Sequence, residues 1–144
     1  MSKHHDLVLF INNLSNHKCN IVLIATQETW EIPHNDLIQI PGFNFIFKNR
    51  SMSKGGGVAF YIKKSIKLKI LNNLSHFTER VFECITIELE LNKRKIVASN
   101  IYKSPNPING PVSEHNDMFI DYIDTHLHNL SQLNNDIYVF TDSN

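Results

Sequence analysis

The chain has 144 residues, no formal net charge at pH 7, 42% hydrophobic residues and 19% charged residues. This length and composition suit one globular domain with a buried core and exclude a disordered chain. No apolar run approaches the roughly 20 residues that cross a bilayer, and the polar amino terminus Met1–Asp6 does not look like a secretory signal. We therefore expect an intracellular protein, nuclear or cytoplasmic, with no membrane partner. Cys19 and Cys84 lie in apolar surroundings without a CxxC pattern, which predicts free, buried thiols.

The first half of the chain predicts one helix and four short strands. Apolar residues at helical spacing predict an amphipathic helix over residues 5–17. The continuous β-branched run at 21–26 is typical of a strand buried on both faces. Alternating Phe residues predict a strand over 43–48, and strands follow over 58–62 and 67–71.

The second half predicts a hairpin, a long helix and a last strand. Apolar residues of one parity predict a strand over 81–91, and a tight turn leads to the returning strand over 95–102. Ser113 is a suitable N-cap for a helix over 114–133, and a strand over 136–140 follows. This order of elements favours a layered α/β domain, in which helices pack on mixed or antiparallel sheets.

Polar side chains with useful chemistry come directly after three of the apolar strands. Glu28 follows the first strand, Tyr102 ends the hairpin, and Asp142 and Asn144 follow the last strand. A carboxylate at such a sheet edge suits Mg²⁺, an Asp can accept a proton from water, and a Tyr can donate to charge on phosphorus. Taken singly, each of these residues is equally typical of a solvated strand end.

Four segments together resemble a known family. They are Gln27-Glu28-Thr29-Trp30, Gly55-Gly56-Gly57-Val58-Ala59-Phe60-Tyr61, Asn100-Ile101-Tyr102-Lys103-Ser104-Pro105-Asn106 and Phe140-Thr141-Asp142-Ser143-Asn144. Their order and spacing resemble the endonuclease/exonuclease/phosphatase superfamily. Within it, the triple glycine and the Tyr-Lys-Ser-Pro turn look like the endonuclease domain of non-LTR (LINE-type) retrotransposons.

The resemblance implies a four-layer α/β sandwich that nicks DNA with the help of Mg²⁺ or Mn²⁺. By the same resemblance, Glu28 binds the metal ion, Tyr102 contacts the scissile phosphate, Asp142 activates the attacking water, and Asn144 holds the phosphate. The partners implied are DNA and a reverse transcriptase domain in the intact element.

The match also has gaps. Residues 1–144 correspond to roughly the first half of the family fold, without its opening strand, which carries an Asn, and without the later His and second carboxylate. The family's Gly-Asp-Phe-Asn is here Thr141-Asp142-Ser143-Asn144, and Lys103 replaces the usual Arg. We therefore expect weak or absent catalysis from this chain. An incomplete sandwich also exposes sheet surface, which favours self-association.

Basic residues suggest where nucleic acid would bind. No Asp or Glu occurs between Leu37 and Thr78, and this segment is rich in lysine. The residues singled out as DNA contacts are Lys54, Lys63, Lys64, Lys67 and Lys103. A lysine-rich solvated face explains the same pattern equally well. Two alternatives to an endonuclease therefore remain: a non-catalytic nucleic-acid-binding remnant, and another phosphoester hydrolase of the superfamily.

Overall fold

The computed structural model describes residues 3–30, 38–106 and 110–142, which form two helices and eight strands in two sheets. The elements are α1 (Lys3–Asn16), β1 (Leu23–Gln27), β2 (Phe43–Lys48), β3 (Val58–Lys63), β4 (Lys67–Ile70), β5 (Phe77–Thr78), β6 (Phe82–Leu91), β7 (Arg94–Tyr102), α2 (Val112–Ser131) and β8 (Asp136–Asp142). Sheet 1 is antiparallel, in the order β1-β3-β2. Sheet 2 has the order β4-β6-β7-β8, with β5 also paired to β6 and with β8 parallel to β7.

The elements stack in four layers. Helix α1 covers the outer face of sheet 1, where Ile11 clusters with Ile40 and Tyr61. Helix α2 covers the outer face of sheet 2, where the rings of Phe119 and Phe82 have centroids 5.8 Å apart. The inner faces of the two sheets enclose the main core. This arrangement confirms the predicted α/β class with helices flanking antiparallel and mixed sheets.

The alternation along β6 explains how one strand serves two cores. Ile85, Ile87 and Leu89 point between the sheets, while Phe82 and Cys84 point toward α2. Side chains in a strand alternate between faces, and β6 carries apolar residues on each face, so it is buried on both sides over most of its length. Strand β6 pairs with β4, β5 and β7, so it is the central strand of sheet 2. Burial of each of its large apolar side chains contributes about 1.5–3 kcal/mol.

The predicted helices and strands are all present, with ends displaced by at most two residues, and only the short β5 was not predicted. Three local predictions were wrong. Strand β1 is half-buried rather than enclosed, because it forms the edge of a three-stranded sheet. Helix α2 begins after Pro111, whose extended backbone takes the N-cap position without a side-chain cap bond, so Ser113 lies inside the helix. Cys84 is buried as expected, but Cys19 is exposed; both thiols are free.

Strand β8 forms an open edge of sheet 2 within the described part of the chain. Tyr138 and Val139 on this strand are 53% and 38% exposed. Unpaired strand edges with apolar side chains favour pairing with another chain, so self-association stays a prediction with a defined surface. Within the described ranges, neither helix is long and apolar enough to span a membrane.

Candidate functional site

Two of the predicted site residues meet across the sandwich. The hydroxyl of Tyr102 donates a hydrogen bond of 2.6 Å to Oε1 of Glu28. Glu28 follows β1 of sheet 1 and is exposed, whereas Tyr102 ends β7 of sheet 2 and is buried. Burial, together with the hydrogen bond to Glu28, raises the pKa of Tyr102 well above its usual range. Tyr102 therefore keeps its proton and acts as a hydrogen-bond donor to the carboxylate that is predicted to bind a metal ion.

A buried amide fixes the spacing of the two sheets beside this pair. Asn100 lies on β7 two residues before Tyr102, and it is fully buried. Its Nδ2 donates to the carbonyls of Thr26 and Ala59 at 3.0 and 2.9 Å, and its Oδ1 accepts from Nε2 of Gln27 at 2.5 Å. All three partners belong to sheet 1, so Asn100 clamps β1 and β3 to β7.

The triple glycine supports the turn that carries Glu28. All three glycines have positive φ, as does Glu28 itself at 52°. The carbonyl of Gly56 accepts a hydrogen bond of 2.9 Å from the Trp30 amide. A Cβ on Gly57 would lie 2.5 Å from Oγ1 of Thr29, so only glycine lets the loop approach this closely. The glycines therefore serve backbone geometry at this loop.

A buried ion pair lies under the site, and sequence reasoning missed it. Nε of Arg50 contacts Oε1 of Glu83 at 2.5 Å, and the two side chains are 5% and 0% exposed. Glu83 also accepts from the amides of Gly57 and Arg80 at 2.7 and 2.8 Å. The guanidinium carbon of Arg50 lies 5.9 Å from the ring centre of Tyr102. One feature of the sequence could have indicated this ion pair. Glu83 is the single charged residue among the alternate positions of β6 that face sheet 1, and the others are apolar.

The last strand brings Asp142 to the same edge. Asp142 pairs with Tyr102 in the parallel register of β7 and β8, so both residues lie on the sheet face that looks toward sheet 1. The amide of Lys103 donates to the Asp142 carbonyl at 2.9 Å, which fixes the end of the strand. Asn144 lies outside the described residues.

The predicted DNA-binding lysines are divided between two ends of the molecule. Lys54 lies on the turn after β2, near Trp30. Lys103 follows Tyr102 but is only 7% exposed, and its Nζ lies 5.8 Å from the ring centre of Phe119 on α2, so the structure does not place this side chain at the Glu28–Tyr102 site as the sequence suggested. Lys63 ends β3, about 17 Å along that strand from its start beside Gly57, and Lys64 and Lys67 follow it in the chain. There Nζ of Lys63 donates to Oδ1 of Asn20 at 2.6 Å, and Lys67 pairs with Glu90 at 3.4 Å. The lysine-rich segment does not form one surface around Glu28.

The donor set fits a hard divalent cation with few protein ligands. In the described ranges, no group of three or more His, Cys, Asp or Glu side chains is placed to hold a metal ion. The Glu83 carboxylate is occupied by Arg50 and two backbone amides. Glu28 is exposed and is held at one oxygen by Tyr102. Because Mg²⁺ keeps several waters and is commonly held by one or two carboxylates plus substrate phosphates, Glu28 suits that role.

The comparison with known proteins defines the fold of this site. No family model and no curated protein matches the chain. Among solved structures, the human Nocturnin catalytic domain with bound sulfate anion matches with a TM-score of 0.61 and 14% sequence identity. The match covers 93% of this chain and 54% of the Nocturnin chain, so this chain spans about half of that length. The described residues thus share the fold of about half of the Nocturnin catalytic domain.

Proposed function

We propose that this chain carries the metal-binding and phosphate-contacting face of a phosphodiesterase that nicks DNA, of the retrotransposon endonuclease type. The observation that carries the proposal is the 2.6 Å contact between Glu28 and Tyr102, which joins two sequence motifs from different sheets. The shared fold supports a phosphoester hydrolase of this superfamily. The four sequence motifs support the narrower proposal of DNA as substrate.

Each residue has a distinct task in this proposal. Glu28 holds Mg²⁺ or Mn²⁺, and a bound cation supplies positive charge next to a phosphate oxygen. Tyr102 stays protonated, and when substrate binds its single hydroxyl proton turns from Glu28 to the charge that develops on the phosphate. Asp142 accepts a proton from the attacking water, and Asn144 holds the phosphate. The water oxygen bonds to phosphorus as the bond to the 3′ oxygen breaks, which leaves a 3′-hydroxyl after protonation by solvent.

The DNA strand would follow the site end of the sandwich. Lys54 lies near the Glu28–Tyr102 pair and provides positive charge for a phosphate beside the cleaved one. In an intact element, a 3′-hydroxyl made here would prime a linked reverse transcriptase domain. Lys63, Lys64 and Lys67, at the other end of β3, belong to the alternative of a non-catalytic nucleic-acid-binding surface.

Plasmid nicking tests the proposal. We expect slow conversion of supercoiled plasmid to the open circle with Mg²⁺ or Mn²⁺, and none with EDTA. Glu28→Gln should lower the rate at least tenfold, because the variant loses the charged ligand and keeps the shape. Asp121→Asn, a matched change on the exposed face of α2, should leave the rate unchanged.

Nicking by Glu28→Gln at the parental rate would overturn the proposal, as would the absence of both nicking and cation binding. DNA binding without cleavage that is lost when Lys63, Lys64 and Lys67 are neutralised would favour the non-catalytic alternative. Cleavage of a small phosphate ester without cleavage of DNA would favour another hydrolase of the superfamily.

A further inference from the structure

A large aromatic side chain stands exposed beside the candidate site. Trp30 is 59% exposed and follows Glu28 by two residues. Its backbone is fixed, with a φ of 58° and a hydrogen bond of 2.9 Å from its amide to the Gly56 carbonyl. Two extended residues span at most about 7 Å. The Trp30 backbone therefore lies close enough to Glu28 for the indole to reach a nucleotide next to a phosphate held there. The indole face is therefore presented to solvent from a rigid turn.

A second exposed apolar side chain stands on the neighbouring turn. Met52 is 90% exposed. The turn that carries it is held by the Glu79 carboxylate, which accepts from the amides of Ser51 and Met52 and from the hydroxyls of Ser51 and Ser53. These hydrogen bonds outweigh burial and lower the pKa of Glu79, so the carboxylate stays ionised and the turn stays fixed. The Met52 side chain is thus presented to solvent from a fixed turn.

The two apolar side chains border one hollow. A cavity of about 250 Å³ is lined by Trp30 and by residues 50–55. Arg50 links this hollow to the site, because its guanidinium also lies against the Tyr102 ring. Lys54 gives the rim a positive charge, and none of the described residues that line the hollow is acidic. Drug-sized ligands occupy cavities of about 300–1,000 Å³. The hollow is slightly smaller than that range, which suits a single nucleobase.

We propose that this hollow is a base-stacking subsite, in which Trp30 stacks on one unpaired nucleobase next to the cleaved phosphate and Met52 separates that base from its neighbour. The inference rests on the proposed function, since it names the substrate as a locally single-stranded or unstacked DNA site. Indole rings stack on every base, and inserted methionine side chains part neighbouring bases in distorted DNA. A phosphate-only subsite would need neither side chain.

Trp30 is the single tryptophan of the chain, so its fluorescence reports this contact directly. The titration uses EDTA, an octamer of deoxythymidine, and an abasic octamer with the same number of phosphates. We expect saturable quenching by the thymidine octamer, and little by the abasic octamer or by a perfect duplex. Binding, measured by anisotropy of a labelled octamer, should weaken about 5- to 150-fold in Trp30→Leu, the equivalent of about 1–3 kcal/mol of stacking. Trp30→Phe should recover most of the affinity.

The outcomes separate this inference from the proposed function. Equal quenching by both octamers, equal affinity of Trp30→Leu and the parent chain, or no binding at all would overturn the stacking subsite. Circular dichroism checks that both variants fold. Base-dependent quenching in a chain that neither nicks plasmid nor binds a cation would leave the subsite standing and overturn the endonuclease. Nicking that depends on Glu28 but not on Trp30 would support the endonuclease and overturn the stacking subsite.

Discussion

Replacement of Asn100 by alanine should open the join between the two sheets. The amide makes three hydrogen bonds to sheet 1, to the carbonyls of Thr26 and Ala59 and from the side chain of Gln27. Each such bond contributes about 0.5–1.5 kcal/mol net, so we expect Asn100→Ala to lower the free energy of unfolding by about 3 kcal/mol. That is a large part of the roughly 5–15 kcal/mol that stabilises a typical domain.

Urea and thermal unfolding, followed by far-ultraviolet circular dichroism, measure this loss. A loss of this size lowers the melting temperature of a chain of this length by about 6–12 °C. Asn100→Asp keeps the shape but turns an acceptor toward two carbonyls, so it should cost at least as much as alanine. Asn129→Ala on the exposed face of α2 is the control and should stay within about 0.5 kcal/mol of the parent. If Asn100→Ala were also within 0.5 kcal/mol, the three bonds would not hold the sheets together, and the account of the clamp would be wrong.

Two further perturbations address the glycine loop and the buried histidine. Gly57→Ala should lower the free energy of unfolding in urea by more than 1 kcal/mol, because it adds a steric clash to the strain of a positive φ. Gly55→Ala is the control, since that position has the same strain but open space around its Cβ. An equally large loss in Gly55→Ala would contradict the packing argument. Burial, and then the nearby His76, lowers the pKa of His126 below its usual value of about 6.5. Below pH 6.5 the His126 imidazole is protonated more readily in the unfolded chain than in the folded chain. The contribution of His126 to stability should therefore fall as the pH drops below 6.5 and be constant above it. Urea midpoints at pH 7.5 and 5.5 should differ less in His126→Gln than in the parent chain, and equal differences would exclude His126 as a cause.

The sequence could predict the strands and their buried faces because the strongest local signals agree with the tertiary structure. The alternation in β6 and the apolar stripe of α2 each reflect a single periodicity, and packing then follows that periodicity. Helix ends were less predictable, because the backbone of Pro111 supplies the start that Ser113 was expected to cap.

The site was only partly predictable, because its contacts join segments that are far apart in the chain. Local patterns marked Glu28 and Tyr102 as strand-end residues, but no periodicity shows that their strands belong to different sheets that face each other. In the sequence, Arg50 is indistinguishable from the exposed lysines of the same segment, whereas in the structure it is buried against Glu83. The left-handed backbone of Glu28 and Trp30 is imposed by the glycine loop, and propensities for those residues argue against it.

The contact between Glu28 and Tyr102 also makes the assembled site depend on the docking of the two sheets. The strand pairs lie within each sheet, and each sheet holds only one member of the pair. A partly folded chain with both ladders intact but undocked would show native-like circular dichroism while having no place for a cation and a phosphate together. Recovery of cation affinity during refolding would then time the docking of the sheets, separately from the formation of secondary structure.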